Sequence, residues 1–331
     1  DFVVGLRMSG DEMLKAGLDR QELFEIARTI AAGGFIDYLN IIAGAGQDVK
    51  VLYKGFPSMY DPPAPFVDLA AQVKAAVGDL PVLHAGRVID PILAEQLLAK
   101  GKVNLVGMTR AVIADPQMPN KARQGRLDEI RRCVGINQDC IDRLYFGKSI
   151  TCSINPTIGR ERDLADVEPA VTSKNVLVIG AGPAGLETAR VASERGHRVT
   201  LLERNDHPGG QLAIAACAPN RDDLAEFIRW QQRELTRLNV EVRLGVEATA
   251  ASILAESPDA VVVATGARPH IPQICGVDLD HVVTAWDVLQ DRVDIGDRVV
   301  VLDEEGQHQG LSTAELLLDK GRQVTVVTRY F

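Results

Sequence analysis

The chain has 331 residues, of which 46% are hydrophobic and 24% are charged, and its formal net charge is -9. This length allows two or more domains with sizeable cores, and the composition is ordinary for a soluble globular protein. The net negative charge and the lack of a Lys/Arg-rich run argue against nucleic-acid and anionic-membrane partners, which need basic patches, and no apolar run is long enough to span a bilayer.

The two ends of the chain resemble the interiors of strands. Residues 1–7 lack the basic start and apolar stretch of a signal peptide. Position 1 is not Met, and the chain closes on a strand pattern at 324–328 with only three residues after it, so we expect a piece of a longer polypeptide. Five cysteines in a chain of this length do not make a disulfide scaffold, which favours a reducing, cytoplasmic location.

Residues 1–130 alternate short apolar strands with helical patterns, which predicts a parallel sheet. The predicted strands are Phe2–Met8, Ile36–Ala43, Pro81–Ala85 and Val103–Met108, and the helices between them include Arg20–Ala32, Pro65–Val77 and Ile92–Lys100. Polar or glycine residues follow the strands at Arg7, Gly44, Gly46, Gly86, Arg87, Thr109 and Arg110. In a (β/α)8 barrel such strand ends form the active face, and four strands would make half a barrel. A small parallel sheet without a site is the alternative.

Residues 131–172 have little regular pattern but contain three of the five cysteines. Six residues separate Cys133 from Cys140, and eleven separate Cys140 from Cys152. Thiolates that converge from an irregular loop suit an iron–sulfur cluster, although three are one fewer than the usual four. Buried structural thiols are the alternative. A zinc site is disfavoured because no CxxC pair and no nearby histidine are present.

A dinucleotide-binding fingerprint follows the apolar strand 176–179. It reads Gly180-Ala181-Gly182-Pro183-Ala184-Gly185. The first glycine permits a tight turn, the second lets the backbone approach a pyrophosphate, and the third permits close helix–strand packing. The next strand, 198–202, ends in Glu203, about 20 residues onward, where an acid binds a ribose hydroxyl. Because this acid would repel a 2′-phosphate, FAD, ADP or NAD is favoured over NADP.

Two further segments support FAD-type binding. The ribose acid is followed by Arg204 and then by Gly209-Gly210-Gln211, and a predicted buried strand at 261–263 leads into Thr265-Gly266. The backbone at both glycine turns can approach a cofactor.

A third α/β unit begins near residue 296, with a predicted strand at 298–302 and a helix at 312–320. The connecting turn reads Asp303-Glu304-Glu305-Gly306-Gln307-His308-Gln309-Gly310. Its first turn glycine is missing and its acids would repel a pyrophosphate, so we do not expect dinucleotide binding there. The predicted domains are a partial barrel at 1–130, a cluster loop and linker at 131–172, a Rossmann-like FAD/ADP domain at 173–295, and the start of a second nucleotide-binding-like domain at 296–331.

In this combination of motifs the chain resembles the multidomain Old Yellow Enzyme-like flavoproteins. These include trimethylamine, dimethylamine and histamine dehydrogenases, N-methylproline demethylase-like proteins and 2,4-dienoyl-CoA reductase. The resemblance covers essentially the whole chain, from near the fifth barrel strand into the second nucleotide-binding-like domain. It implies an α/β fold in which the C-terminal half of a (β/α)8 FMN barrel precedes Rossmann-like FAD/NAD(P)-type domains.

The resemblance assigns roles to individual residues. Arg7 matches the arginine beside the flavin N1/O2 edge, where a cation stabilises negative charge on reduced flavin. The matches to the FMN phosphate site are Gly86, Arg87, Thr109 and Arg110. The family pattern continues through Ala114-Asp115-Pro116 into Cys133-Val134-Gly135. The resemblance implies a 4Fe-4S cluster on Cys133, Cys140 and Cys152, but Ile136 stands where the reductase-like pattern has another cysteine.

The turn at 303–310 favours the amine-dehydrogenase branch of the family. The dienoyl-CoA reductase carries a glycine fingerprint for NADPH there, whereas the amine dehydrogenases do not. We therefore expect an FMN-dependent amine dehydrogenase or N-demethylase that passes electrons through the cluster to an external acceptor. The alternatives are an NAD(P)H-dependent dienoyl-CoA or enoate reductase, and a flavin-binding electron-transfer or scaffold subunit whose cluster was lost.

The substrate side of the barrel is mostly unseen in this sequence. Gln47 and Asp48 lie near the family's catalytic polar residue on strand six, so Asp48 is the candidate catalytic group. Tyr53, Tyr60 and Asp61 are candidates to line the same loop, where an acid and aromatic rings would suit an amine cation. A solvated loop is the alternative for each. The expected partners are a small amine or enone/enoyl substrate, an electron-transfer flavoprotein and a second copy in a homo-oligomer.

Overall fold

A computed structural model describes residues 2–46 and 48–330 of the protein. They form two compact units, Asp1–Ala165 and Asp166–Phe331, each built on parallel strands. None of the helices in the described ranges is both long and apolar enough to cross a membrane.

The first unit contains a four-stranded parallel sheet in which the strands pair in chain order. Its strands are β1 (Gly5–Ser9), β2 (Tyr38–Ile42), β3 (Val82–Ala85) and β4 (Leu105–Gly107). Its helices are α1 (Arg20–Gly33), α2 (Val49–Leu52), α3 (Val67–Val77), α4 (Pro91–Ala99), α5 (Thr109–Ala114), α6 (Met118–Arg123), α7 (Ile141–Tyr145) and α8 (Glu161–Leu164). Short 3-10 turns lie at Tyr53–Gly55 and Leu127–Glu129.

Local sequence explains where two of these helices begin. Asp19 accepts a hydrogen bond from the Glu22 N–H, and the Glu22 carboxylate reaches back to the Asp19 N–H, so α1 starts in a capping box. Asp90 caps α4 by accepting from the Leu93 N–H, and Pro91 occupies the first helical position, where its missing N–H costs nothing.

The two faces of this sheet differ in chemistry. Leu39, Ile41 and Val82 are fully buried in a core that includes Ala70 and Val73 of α3. The opposite face carries a row of residues that pair in register across all four strands, namely Arg7, Asn40, Leu83 and Leu105. Because side chains alternate along a strand, the apolar core fixes the orientation of this row.

The second unit contains a four-stranded parallel sheet in the order β7-β6-β5-β8 and a separate parallel pair, β9 and β10. The strands are β5 (Asn175–Ile179), β6 (Arg198–Leu202), β7 (Glu241–Arg243), β8 (Ala260–Val263), β9 (Arg298–Asp303) and β10 (Gln323–Thr328). The helices are α9 (Pro183–Glu194), α10 (Gly210–Ala215), α11 (Asp222–Arg237), α12 (Ala250–Ala255), α13 (Ala285–Leu289) and α14 (His308–Asp319).

Two expectations about this unit need correction. The strand at 261–263 is not buried on both faces, because β8 is an edge strand on which Val261 and Val263 are 41% and 70% exposed. Only Ala260 and Val262 pack against the core. The last helix begins at His308, four residues before the predicted start at Ser312, so the acidic turn is shorter than the sequence indicated.

Candidate functional site

The predicted flavin-phosphate residues lie at the carboxyl ends of β3 and β4. Arg87 is buried, adopts a left-handed backbone (φ 51°) and donates from Nε to the Asp61 carbonyl at 2.6 Å. Thr109 begins α5 and is exposed, and the half-buried Arg110 donates to the Asn137 side-chain oxygen at 2.6 Å. Both guanidinium groups therefore reach neighbouring loops. Their role in binding an FMN phosphate, together with that of Gly86 and Thr109, remains a prediction.

Arg7 lies on β1, in register with Asn40 of β2. The Arg7 side chain is exposed, and the buried Asn40 Oδ1 has no hydrogen-bond partner in the described part of the chain. An unpaired buried acceptor is unusual in a folded protein and calls for a donor that is not yet in place. A flavin ring offers such N–H groups, so this row suits the predicted role of Arg7 beside the flavin.

The cysteine loop packs against the segment that follows β2. The Met59 N–H donates to the Gly135 carbonyl at 2.9 Å, and the Asn137 side-chain amide donates to the Phe56 carbonyl at 2.9 Å. Gly135 has a positive φ of 66°, and a Cβ there would lie 2.4 Å from the Arg87 Nη1. The left-handed φ and the Met59 backbone nitrogen, which would lie 3.0 Å from a Cβ, both favour glycine here.

The three clustered cysteines are free thiols, and each is half-buried. The Gly135 N–H donates to the Cys133 sulfur at 3.4 Å. Burial raises the pKa of the Cys133 and Cys140 thiols, and the positive charge of Arg110 opposes this effect at both. All three thiols interact electrostatically with one another in pairs. They therefore share one region of the unit.

The same region does not form a site for a single metal ion. Among residues 2–46 and 48–330, no group of three or more His, Cys, Asp and Glu side chains is arranged to hold one. Thiolates that share one zinc ion lie about 3.8 Å apart, since each Zn–S bond is about 2.3 Å long. The described residues therefore give no support for a mononuclear metal centre in this loop.

Asn137 is a site residue that the sequence analysis missed. It is buried, has a positive φ of 63°, and connects Arg110 to the Phe56 carbonyl. Asparagine is enriched in left-handed backbone conformations, but one Asn in an irregular loop is too weak a signal to identify such a role.

The substrate-side candidates surround the short helix α2. Gln47 lies outside the described residues. Asp48 is exposed, and its carbonyl accepts the N–H groups of Val51 and Leu52, which begins the helical turn. The catalytic role of Asp48 remains a prediction.

The other acid of this loop already has a cationic partner. The Asp61 carboxylate forms an ion pair with Lys54 at 3.2 Å and accepts the Ser58 N–H at 3.1 Å, so it is less suited to bind a substrate amine. The Tyr53 ring lies 6.5 Å from the Tyr145 ring, which connects this loop to the cysteine segment, and Tyr60 is exposed.

The glycine fingerprint of the second unit forms the predicted strand–turn–helix. Gly180 has a φ of 101°, α9 begins at Pro183, and Ala184 lies in its first turn. A Cβ on Gly185 would lie 1.9 Å from the Gly180 carbonyl oxygen, whereas a Cβ on Gly182 would meet nothing within 4 Å. The space above Gly182 is thus open, as a pyrophosphate site requires.

Glu203 lies at the end of β6 and is 6% exposed. One carboxylate oxygen accepts the Ala181 N–H at 2.7 Å, and the other accepts the Asn205 N–H at 2.9 Å. The acid therefore holds the glycine turn against the end of β6. Each carboxylate oxygen keeps a second lone pair that can accept a ribose hydroxyl.

Replacing Glu203 with glutamine is expected to lower the free energy of unfolding by about 1–3 kcal/mol at neutral pH. The new NH2 group would face a backbone N–H. Two hydrogen-bond donors would then face each other in a buried place, and one hydrogen bond would be lost. Urea unfolding followed by tryptophan fluorescence measures this, because both tryptophans, Trp230 and Trp286, lie in the second unit. The exposed Glu247→Gln is the matched control. Equal unfolding midpoints for the two variants would contradict the structural role of Glu203.

The remaining predicted cofactor residues surround the same turn. The Gly209 N–H donates to the Ala181 carbonyl at 2.8 Å, and a Cβ on Gly210 would lie 3.0 Å from the Gly182 Cα. Gln211 donates to the Ala267 carbonyl at 3.3 Å, which connects α10 to the segment containing Thr265 and Gly266. Arg204 is exposed beside Glu203. The structure thus brings these segments together, and their contact with a cofactor remains a prediction.

The turn after β9 contains its own anion. The buried Asp303 carboxylate accepts the N–H groups of Glu305 and Gly306 at 3.2 and 3.1 Å. A Cβ on Gly310 would lie 2.8 Å from the Asp303 Cβ, so the start of α14 packs closely on this side chain. In a dinucleotide-binding turn, backbone N–H groups in this position face the pyrophosphate. Here the protein itself satisfies them.

Comparisons with known proteins agree with this two-part architecture. Residues 1–129 match the NADH:flavin oxidoreductase / NADH oxidase family, and residues 174–329 match the pyridine nucleotide-disulphide oxidoreductase family. The chain is 43% identical to the N,N-dimethylglycine/sarcosine dehydrogenase of Chromohalobacter salexigens and 38% identical to a probable N-methylproline demethylase of Rhizobium meliloti. Each alignment covers 99% of this chain and 48% of the relative.

A solved structure of a 2-naphthoyl-CoA reductase superposes with a TM-score of 0.87 at 35% identity, covering 97% of this chain and 48% of that one. The chain thus spans about half the length of the relatives it matches. The sequence-based predictions of the family and of the α/β architecture are confirmed. The chain thus joins a segment that matches the NADH:flavin oxidoreductase / NADH oxidase family to one that matches the pyridine nucleotide-disulphide oxidoreductase family, and in this arrangement it resembles the Old Yellow Enzyme-like flavoproteins.

Proposed function

We propose that the protein is a flavin-dependent oxidoreductase of the amine dehydrogenase or N-demethylase type. FMN would accept a hydride equivalent from the substrate, an iron–sulfur cluster would carry single electrons onward, and the 180–266 region would bind FAD or ADP. The substrates would be small methylated amines, as the names of the two 43% and 38% identical relatives suggest. An external protein, such as an electron-transfer flavoprotein, would take the electrons.

One observation carries the direction of electron flow in this proposal. The turn after β9 is filled by the Asp303 carboxylate, and Glu304 and Glu305 add further negative charge beside it. A pyrophosphate would meet like charge and occupied N–H groups. A nicotinamide nucleotide is therefore not expected to deliver electrons through this unit.

The residues of the first unit would hold and polarise the flavin. Arg7 would stabilise negative charge at the flavin N1/O2 edge, and Asn40 would accept a hydrogen bond from the ring. Gly86, Arg87, Thr109 and Arg110 would surround the phosphate at the ends of β3 and β4. Asp48 is proposed as the polar group nearest the substrate.

The second candidate function is an NAD(P)H-dependent enoate or enoyl-CoA reductase. It is favoured by the 35% identity to a 2-naphthoyl-CoA reductase. The two candidates differ in the compound that reduces the flavin. We also infer a cytoplasmic location for either, because all five cysteines are free thiols.

Anaerobic titration of the purified flavoprotein distinguishes the two candidates. We expect N,N-dimethylglycine, sarcosine or N-methylproline to bleach the flavin absorbance, while NADH and NADPH leave it unchanged. Dithionite serves as the control that the flavin can be reduced. Rapid bleaching by a nicotinamide nucleotide, with none by the amines, would establish the reductase and show that the Asp303 turn does not block electron entry.

A further inference from the structure

The face of the first sheet that carries Arg7 contains one unmatched acceptor. Asn40 lies on β2, directly opposite Arg7 of β1 in the parallel pairing. Among the described residues of the first unit, Asn40 Oδ1 is the only buried side-chain oxygen that lacks a hydrogen-bond partner. A buried acceptor that is left unpaired costs free energy, so this oxygen needs a donor close by.

Arg7 is the residue of this row that can supply the donor. On the other side of Asn40 the row continues with Leu83 and Leu105, whose side chains have no polar atom. Arg7 carries five N–H donors on a flexible side chain. Because adjacent strands lie about 4.8 Å apart and opposed side chains point to the same face, the guanidinium can reach Asn40 Oδ1.

The Tyr38 ring limits the directions in which the Arg7 side chain can turn. Tyr38 and Gly5 form the preceding pair on this face of the two strands, and a Cβ on Gly5 would collide with the Tyr38 ring. The ring therefore lies over Gly5 and fills the space on the amino-terminal side of Arg7. The guanidinium is left with two directions, toward the carboxyl end of the sheet and across to Asn40.

Arg7 has no competing partner within the part of the chain that the structure describes. Its side chain is exposed and takes part in no ion pair with a described residue. The next polar side chain on this face of β1 is Ser9, which donates to the Asp11 and Gly44 carbonyls at 2.8 and 3.1 Å. Since a hydroxyl has a single proton, Ser9 is not the donor that Asn40 needs.

We propose that Asn40 is a positioning residue for Arg7. Its Oδ1 accepts an N–H of the guanidinium and keeps that group away from the amino-terminal side of the sheet, so that its charge faces the flavin. The inference rests on the proposed function, in which this face binds FMN and Asn40 also accepts a hydrogen bond from the ring. A carbonyl oxygen has two lone pairs, so Asn40 can serve the ring and Arg7 together.

Sulfite affinity measures the placement of the Arg7 charge without amine turnover. Sulfite adds reversibly to oxidised flavin, bleaches its absorbance and puts negative charge on the N1/O2 edge, which a nearby cation stabilises. The purified flavoprotein, Arg7→Met, Asn40→Leu and the double variant are each titrated with sulfite at saturating FMN. The matched control is Asn120→Leu, which replaces an exposed asparagine of the same unit.

We expect the sulfite dissociation constant to rise about tenfold in Arg7→Met and in Asn40→Leu, and to stay at the wild-type value in Asn120→Leu. In the Arg7→Met background, Asn40→Leu should add less than about threefold, because two changes that remove one interaction are not additive. Asn40→Leu should keep the urea midpoint of the wild type, since it removes a buried unpaired oxygen. If Arg7→Met does not retain FMN, the FMN dissociation constants of the four proteins give the same comparison.

Two results would overturn the inference. An unchanged sulfite dissociation constant in Asn40→Leu would mean that Arg7 is positioned without Asn40. A rise by the same factor in the wild-type and Arg7→Met backgrounds would mean that Asn40 acts on the ring alone. Bleaching by amines is measured separately, so independent effects in a protein that amines bleach contradict only this inference. Coupled effects in a protein that amines do not bleach contradict only the proposed function.

Discussion

Replacing Gly185 with alanine is expected to lower the free energy of unfolding of the second unit by about 3 kcal/mol or more. The new methyl carbon would lie 1.9 Å from the Gly180 carbonyl oxygen, and backbone atoms cannot rotate aside as a flexible side chain can. Helix α9 would have to move away from β5, which opens the core between Leu186, Ala189 and Val178. Urea unfolding followed by tryptophan fluorescence measures the change.

Gly182→Ala is the matched control for this experiment. A Cβ at Gly182 meets no atom within 4 Å, so the fold should be preserved. The same methyl group would occupy the surface where a pyrophosphate approaches. We therefore expect the adenine nucleotide to bind at least tenfold more weakly, a loss of about 1.4 kcal/mol in binding free energy. Nucleotide released by heat and quantified by absorbance gives this value. If Gly185→Ala unfolds like the wild type while Gly182→Ala loses stability, the assigned roles of the two glycines are reversed.

Acidification is expected to destabilise the first unit through His84. This side chain is fully buried, and burial lowers its pKa from 6.5 to about 4. Backbone groups of Gly86 and Ile41 offset only part of the effect, and neither ring nitrogen has a hydrogen-bond partner of good geometry among the described residues. The imidazole is therefore neutral in the folded protein at neutral pH.

The sign of the pH effect follows from proton linkage. Between pH 6.5 and 4 the unfolded chain binds a proton at this histidine that the folded chain does not, so stability falls as the pH falls. The difference between a pKa of 6.5 and one of about 4 corresponds to about 3 kcal/mol in the free energy of unfolding. This stability is fully present above pH 6.5 and is lost by about pH 4.

The variant His84→Leu tests this contribution. Leucine has a similar volume, cannot be protonated and leaves no buried nitrogen unpaired, so the variant should match or exceed the wild type near neutral pH. Below pH 6 its advantage should grow, as measured by urea unfolding with circular dichroism at a series of pH values. His281→Gln, which removes an exposed histidine, should retain the acid sensitivity of the wild type. Parallel pH profiles for His84→Leu and the wild type would show that His84 does not cause the loss.

Much of the fold could be predicted from local patterns. The apolar runs and their glycine or polar ends located β3, β6 and β9 to within one residue, because a short apolar run between turn signals is typical of a strand. The glycine turn at 180–185 could be predicted as well, since each of its glycines is required by a steric contact or by the approach of a ligand.

The parts that the sequence did not reveal depend on contacts between distant segments. The exposure of β8 depends on its place at the sheet edge, which a run of valines cannot show. Arg87 contacts the Asp61 carbonyl, 26 positions away in the sequence, and Arg110 contacts Asn137, 27 positions away. Asp303 was expected to repel a phosphate, but its role as an acceptor for its own turn appears only in three dimensions.

The Asp303 carboxylate acts as a tethered competitor for any nucleotide. Because it is attached to the turn that it fills, its effective local concentration does not change with the composition of the cell. A nicotinamide nucleotide would have to displace this carboxylate and also approach Glu304 and Glu305. Binding would therefore need a large increase in the nucleotide concentration. Under the proposed function, this turn would separate the reducing equivalents on the flavin from the cellular pool of NAD(P)H.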